Sequence, residues 1–187
     1  TTPLAGDIVK GSKTVVVIAP DIAAWVTFAV INATNSTQNW SLSGSVGVIA
    51  NDTNSGDGFT QPWTTTLFGN ESLFNLTAAS YDAAGSFLSN DTQGNIQVDN
   101  APPNVTLDIP KAGTVYNKLV RVNASAGNDT VSVRFEYRES STADWKSIGT
   151  AYVFPYTVDW NTAPLADGTA YEVRANATDD AGWISLS

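Results

Sequence analysis

The chain has 187 residues, a net charge of −9 and no Cys, His or Met. Without Cys and His there is no thiolate nucleophile or Cys-ligated metal, and both the commonest general base and the commonest zinc ligand are missing. The charge divides into −6 over residues 1–100 (two bases, eight acids) and −3 over the remainder (seven bases, ten acids), an acidic balance that argues against nucleic acid and anionic membranes as partners.

Abundant Thr, Ser, Asn, Val and Ala with scarce Glu and Lys favour strands and turns over helices. No apolar run approaches the roughly 20 residues needed to cross a bilayer, so no membrane insertion is expected of this segment. With neither Met nor a leader at its start, the chain reads as a processed mature protein or a piece of a longer one.

In chain order, Lys13 to Ala19 is almost continuously apolar and predicts a central strand. Strands follow over Trp25 to Ile31, Trp40 to Ser43 and Val46 to Ala50, then a loop over Asn51 to Gly58. Phe59 to Thr65 and Ser72 to Tyr81 come next, joined at Gly69-Asn70. Asp82-Ala-Ala-Gly85 is a hairpin turn, because Asp bonds amides two residues on and Gly accepts positive φ. The return strand is Ser86 to Val98. Asp99-Asn-Ala-Pro-Pro103 reads as a short, stiff linker, since proline cannot donate to a ladder and holds the chain extended. Beyond it, strands are expected over Asn104 to Ile109, Lys118 to Ala124, Thr130 to Arg138, Trp145 to Gly149, Tyr156 to Trp160 and Ala170 to Thr178.

The two halves repeat each other. Phe59 to Gly85 lies on Tyr156 to Gly182 without a gap at an offset of 97, with seven identities in 27 positions that include Trp63 on Trp160, Thr65 on Thr162, Asp82 on Asp179 and Gly85 on Gly182. Upstream, Trp40 to Gly44 lies on Trp145 to Gly149, and Val26, Phe28 and Val30 lie on Val131, Val133 and Phe135, at an offset of 105. Pro3-Leu-Ala-Gly6 lies on Pro110-Lys-Ala-Gly113 at 107. A period near 100 residues is the size of a β-sandwich domain. The expected fold is therefore all-β, two tandem immunoglobulin-like β-sandwich domains over residues 1–99 and 100–187, with Trp63 and Trp160 as core anchors.

Ala-Pro-Pro followed by Val-x-Leu, Pro-x-Ala-Gly, Val-Arg-Phe-Glu-Tyr, Pro-Tyr-x-x-x-Trp-x-Thr, Leu-Ala-Asp-Gly-Thr-x-Tyr and Ala-x-Asp-x-Ala-Gly together resemble the tandem immunoglobulin-like domains of prokaryotic cell-surface proteins. The resemblance is closest over Ala101 to Gly182 and looser over Pro3 to Asn100. It implies a sandwich used as spacer, lattice or adhesive module, with no active site. Ser187 aligns with Asn90, so the second domain lacks counterparts of Asp91 to Val98, and the first lacks most of the strand matching Val105 to Ile109. Two explanations are open: a window on a longer string of domains, or strands donated by neighbouring subunits. The expected partners are accordingly copies of the chain or adjacent domains.

Eleven of 16 Asn lie in Asn-x-Ser/Thr: Asn32, Asn35, Asn39, Asn51, Asn70, Asn75, Asn90, Asn104, Asn123, Asn128 and Asn176. Random placement of the 39 Ser and Thr would give about three or four. Asn75, Asn123 and Asn176 each fall between apolar neighbours in a strand and should point outward. N-linked glycans are therefore the expected modification, and with them export from the cell. Such density without cysteine is an archaeal pattern.

Calcium at Asp99-Asn100 or Asp179-Asp180 is a weaker expectation, because Ca²⁺ takes six to eight oxygens and only pairs are visible; turn-capping accounts for these residues as well. Glu136 and Glu139 read as exposed edge carboxylates rather than a glycosidase pair. No cofactor and no catalytic residue are predicted. The leading function is a structural extracellular glycoprotein of a surface layer or filament. The alternatives are an adhesin or carbohydrate-binding module using Trp25, Trp145 or Trp183, which otherwise fill a core or interface, and an accessory domain of a secreted hydrolase.

Overall fold

The computed structural model describes residues 1–34, 39–40, 50–69, 72–139 and 141–187. The expected strand over Val46 to Ala50 thus falls largely outside the described residues, as do most of the one over Trp40 to Ser43 and the turn residue Asn70. The chain forms two compact units, Thr1–Asn100 and Ala101–Ser187.

In the first unit, strands β1 (Ile8–Val9), β3 (Trp25–Asn32), β4 (Asn39–Trp40), β5 (Ala50–Asp52), β7 (Ser72–Tyr81) and β8 (Phe87–Val98) form one sheet, ordered β1-β8-β7-β3-β4 with β5 also on β3. Strands β2 (Ser12–Val16) and β6 (Thr60–Thr64) form a second. In the second unit β9 (Val105–Ile109), β10 (Leu119–Ala126) and β13 (Tyr156–Asn161) make a sheet ordered β13-β10-β9. Its companion, ordered β12-β11-β14-β15, comprises β11 (Thr130–Arg138), β12 (Lys146–Ala151), β14 (Glu172–Asp179) and β15 (Ile184–Leu186). Both units are immunoglobulin-like sandwiches, and the all-β expectation holds.

Alternation makes these strands amphipathic. Along β7, Phe74, Leu76, Ala78 and Ser80 are buried while the residues between them are not, the period of a sheet with one covered face. Each core has its tryptophan where expected. Trp63, with no exposed surface, meets Phe68 and Phe74 edge-on at 5.7 and 6.4 Å. Trp160 meets Tyr171 edge-on at 6.3 Å and Tyr137 at 5.1 Å. The Trp63–Phe74 and Trp160–Tyr171 pairs have interplanar angles of 88° and 87°, so the repeat persists in side-chain geometry.

Strand pairing corrects one alignment. Trp63 opposes Lys13 and Trp160 opposes Val120; Ala78 opposes Phe28 and Ala175 opposes Phe135. With the later segments matched at 97, the earlier ones match at 107, so Val26 lies on Val133, Phe28 on Phe135 and Val30 on Tyr137, two residues beyond the alignment at 105. A slip of two leaves every side chain on its own face, so apolar alternation cannot distinguish the two offsets. Trp40 opposes Val30 while Tyr137 opposes Lys146, so Trp145 is not the counterpart of Trp40.

Details at the strand ends obey the corrected offset. The carbonyl of Gly11 accepts bonds from the Thr65 amide and hydroxyl at 2.9 and 2.7 Å, and that of Lys118 accepts from the Thr162 amide and hydroxyl at 2.6 and 3.0 Å. Gly11 and Lys118 both have left-handed backbones, at φ 65° and 56°.

The expectation of a central strand over Lys13 to Ala19 fails. Val15, Val17 and the half-buried Ala19 face the core, while Val16 is 37% and Ile18 95% exposed. On its edge away from β6, β2 bears among the described residues a single bridge, Thr2 to Val16; the equivalent pair in the second unit, Ile109 and Asn123, is the end of the β9 ladder.

Candidate functional site

The inner faces of the units match; the outer faces do not. On the outer face of the first unit's larger sheet the cross-strand rows are short and polar. One row runs Asn51–Thr27–Ala79–Asn90, the next Ala29–Thr77–Thr92, and the next pairs Ile31 with Asn75. The backbone of Asn39 also opposes Ile31. The hydroxyls of Thr77 and Thr92 lie 3.0 Å apart, and the Thr27 hydroxyl donates to the Ala79 carbonyl at 3.3 Å. Three sequon asparagines, Asn51, Asn75 and Asn90, thus stand on one face, the rows of Asn51 and Asn90 and of Thr77 holding, among the described residues, only Thr27, Ala29, Thr77, Ala79 and Thr92 besides.

The end row of this face is aromatic: Trp25 opposes Tyr81, which opposes Phe87. Trp25 and Tyr81 stack at 5.4 Å and 15°, and Tyr81 meets Phe87 edge-on at 6.0 Å. Phe87 is 58% exposed.

The corresponding rows of the second unit are charged. Glu136 opposes Arg174 and Arg138 opposes Glu172. Arg174 reaches Glu136 at 2.7 and 2.8 Å, Arg134 reaches it at 2.9 Å, and Arg138 reaches Glu172 at 2.6 and 2.7 Å. The guanidinium carbons of Arg138 and Arg174 lie 4.4 and 4.0 Å from the centroid of the Trp145 ring, a cation–π stack. Glu136, expected as an exposed carboxylate, is only 4% exposed: it sits beneath this stack with its charge met by two arginines. Glu139 is exposed. The alternation of charge in Arg134, Glu136, Arg138 and Glu172, Arg174 was the available signal for this ladder.

Neither Trp25 nor Trp145 belongs to a core; both lie on outer faces. Trp183 is half-buried, its amide donating to Asp179 Oδ1 at 2.7 Å.

Of the other predicted acceptors, Asn104 and Asn128 are exposed, and Asn32, Asn123 and Asn176 are half-buried. Asn75, Asn123 and Asn176 alternate with buried neighbours and face outward as expected. Asn32 Oδ1 accepts bonds from the Thr34 amide and hydroxyl at 2.9 and 2.7 Å, closing the Asn-x-Thr segment on itself. Asn75 Oδ1 accepts the amide of Asn95, whose left-handed backbone (φ 56°) forms a bulge in β8. In these contacts the bonding atom is the side-chain oxygen, whereas a glycan is attached at the side-chain nitrogen. Asn35 and Asn70 lie outside the described residues, as does the side chain of Asn39.

Of the residues considered for calcium, Asn100 and Asp179 also have local roles. Asn100 Oδ1 accepts the Gly11 amide at 2.9 Å and its Nδ2 donates to the Thr65 carbonyl at 3.0 Å, pinning the end of the first unit. Asp179 caps its turn as Asp82 does: Asp82 Oδ1 accepts the amides of Ala84 and Ser86 at 2.9 and 2.8 Å, and Gly85 and Gly182 supply the positive φ, 86° and 77°. The Ser86 amide holds the Asp82 carboxyl below its ordinary range. Asp91, inside the Asn90 sequon, is lowered to about 2 chiefly by the Thr1 hydroxyl, with Gln93 and the terminal ammonium, 3.1 Å away, adding to it.

No family model matches the chain, and no curated protein matches it in sequence. Among solved structures it is similar to the fibronectin(III)-like modules of Clostridium thermocellum CbhA, at TM-score 0.53 and 21% identity over 100% of this chain and 88% of that one. It is also similar to the FN1–FN3 domains of chicken CNTN1 (TM-score 0.41, 8% identity, 98% and 68% of the two chains). A tetra-tandem repeat in the extending region of a large adhesion protein is a further likeness (0.34, 17%, 89% and 41%). The first of these establishes the fold: a pair of fibronectin III-like, immunoglobulin-like sandwiches.

Proposed function

We propose that this chain is a structural, extracellular glycoprotein, a building block of a surface layer or extracellular filament whose sandwiches act as spacers dressed with N-linked glycans. One observation carries the reading. Every sequon asparagine whose side chain is described, from Asn32 to Asn176, is exposed or half-buried, and three of them, Asn51, Asn75 and Asn90, share one sheet face. Attached sugar would shield the backbone of that face from proteases and keep it soluble.

Assembly would use copies of the chain or adjoining domains. The edge of β2 beyond the Thr2–Val16 bridge, with Ile18 exposed beside it, is a place where a further strand would complete the smaller sheet. The role is mechanical rather than catalytic; the best candidate carboxylate, Glu136, is consumed by two arginines. The adhesin alternative is weakened at Trp145, whose ring is already engaged by Arg138 and Arg174.

Glycopeptide mass spectrometry of the chain from its native source tests the reading. Hexose-containing additions on most of the eleven sequons are expected; unmodified asparagine throughout would refute it.

A further inference from the structure

We infer that the aromatic row Trp25–Tyr81–Phe87 is the seat of the first sugars attached to Asn90, an inference that rests on the glycoprotein reading above. Phe87 and Asn90 are three residues apart on one strand, a spacing that ordinarily points side chains to opposite faces. Here the ladder between β7 and β8 shifts register: Ser80 opposes Ser89, but Tyr81 opposes Phe87. The extra residue, Leu88, packs against the core. Phe87 is thereby brought to the face that carries Asn90. Because Asn90 opposes Ala79 and Phe87 opposes Tyr81, acceptor and rings lie two strand positions apart, about 7 Å.

Little stands between them. The neighbours of Asn90 along its row are Ala79 and Thr27, and the Thr27 hydroxyl is bonded down to the backbone. A pyranose presents an apolar C–H face and a rim of hydroxyls. Laid on Phe87 and Tyr81, it would remove exposed aromatic surface from water while its hydroxyls stayed solvated. The second unit offers an internal control. At the counterparts of Trp25, Tyr81 and Phe87 it has Ser132, Thr178 and Ile184, paired in the same order, and where Asn90 opposes Ala79 it has Leu186 opposing Asn176, with no extra residue in the strand. The strand position that carries Asn90 beside the rings carries Leu186 where the rings are missing; the second unit's sequon in that row, Asn176, sits on the neighbouring strand.

The test uses the full chain produced in a glycosylating host, as four proteins: unsubstituted, Phe87→Ala, Asn90→Gln and both together. Asn51→Gln, at the far end of the Asn90 row, serves as the control. Glycopeptide mass spectrometry reads occupancy, thermal unfolding reads stability, and nuclear Overhauser contacts read proximity of sugar and ring protons. Asn90 should be occupied, and its first sugar should show contacts to the Phe87 and Tyr81 rings. Asn90→Gln should lower the first unit's Tm by about 4–8 °C when Phe87 is present and by almost nothing in the Phe87→Ala background. Asn51→Gln should lower it equally in both.

An occupied Asn90 whose removal costs the same in both backgrounds, with no ring contacts, would overturn the inference and leave the glycoprotein reading standing. So would a bare Asn90 among occupied sequons, or a Phe87→Ala substitution that changes only the oligomeric state. Bare asparagine at every sequon would overturn both.

Discussion

The two units differ where they face water and agree where they do not. Row by row, the inward partners correspond: Phe28 with Ala78 and Phe135 with Ala175, Trp63 with Phe74 and Trp160 with Tyr171. On the outward side of the same strands, Thr27, Ala29 and Ile31 stand where Arg134, Glu136 and Arg138 stand in the other unit, and Asn75 and Thr77 where Glu172 and Arg174 stand. Close packing holds interior positions to a narrow choice, whereas an outward position answers only to solvent, neighbours and partners. The two units share their cores and differ in their exteriors. One carries sequon asparagines beside an aromatic row, the other a charged ladder stacked on a tryptophan.

If the interiors are equivalent, equivalent substitutions should cost alike. Trp63→Ala and Trp160→Ala should each destabilise their own unit by about 3–5 kcal/mol, measured by denaturant unfolding; a large asymmetry would break the correspondence. The exteriors should respond differently. Glu136→Ala leaves Arg174 and Arg134 without their shared partner and should cost about 2 kcal/mol, with a changed Trp145 fluorescence maximum, whereas at its counterpart, Ala29, nature already has the substituted residue.

A smaller contrast lies inside the shared core. The Tyr171 hydroxyl accepts the amide of Ala166 at 3.1 Å, five residues upstream, the tyrosine corner of immunoglobulin-like sandwiches; its counterpart Phe74 has no hydroxyl to do so. Tyr171→Phe should therefore cost the second unit about 1 kcal/mol in thermal or urea unfolding. The smallest effect is expected at Lys118, left-handed where the first unit has Gly11. Lys118→Gly relieves a backbone cost but adds unfolded-state entropy, so unfolding should show a net gain of at most about 1 kcal/mol.

Much of this fold is legible in the sequence because period-two alternation marks strands strongly. The reading predicts β7 as Ser72 to Tyr81 and β11 as Thr130 to Arg138, and both have those bounds. The turn at Asp82 to Gly85 is equally plain, since Asp capping and glycine φ are local properties. What escapes has a physical reason each time. The offset of 105 against 107 is invisible to a pattern whose period is two. The strand at Lys13 reads as central because an unbroken apolar run is the mark of a strand covered on both faces, yet its Val16 and Ile18 are outward. The bulge at Leu88 brings Phe87 and Asn90 to one face, and nothing in the local sequence announces it. The burial of Glu136 depends on arginines from two strands and a tryptophan from a third segment, a tertiary fact no single stretch contains.

The central claim, that the duplicated sandwich turned its free exterior into a sugar-bearing one, is tested most directly by a density map of the native assembly obtained by electron cryomicroscopy. Branching density rising from Asn51, Asn75 and Asn90 on the outer face of the first unit's larger sheet is the predicted result. Bare side chains there, with that face packed against protein, would contradict it.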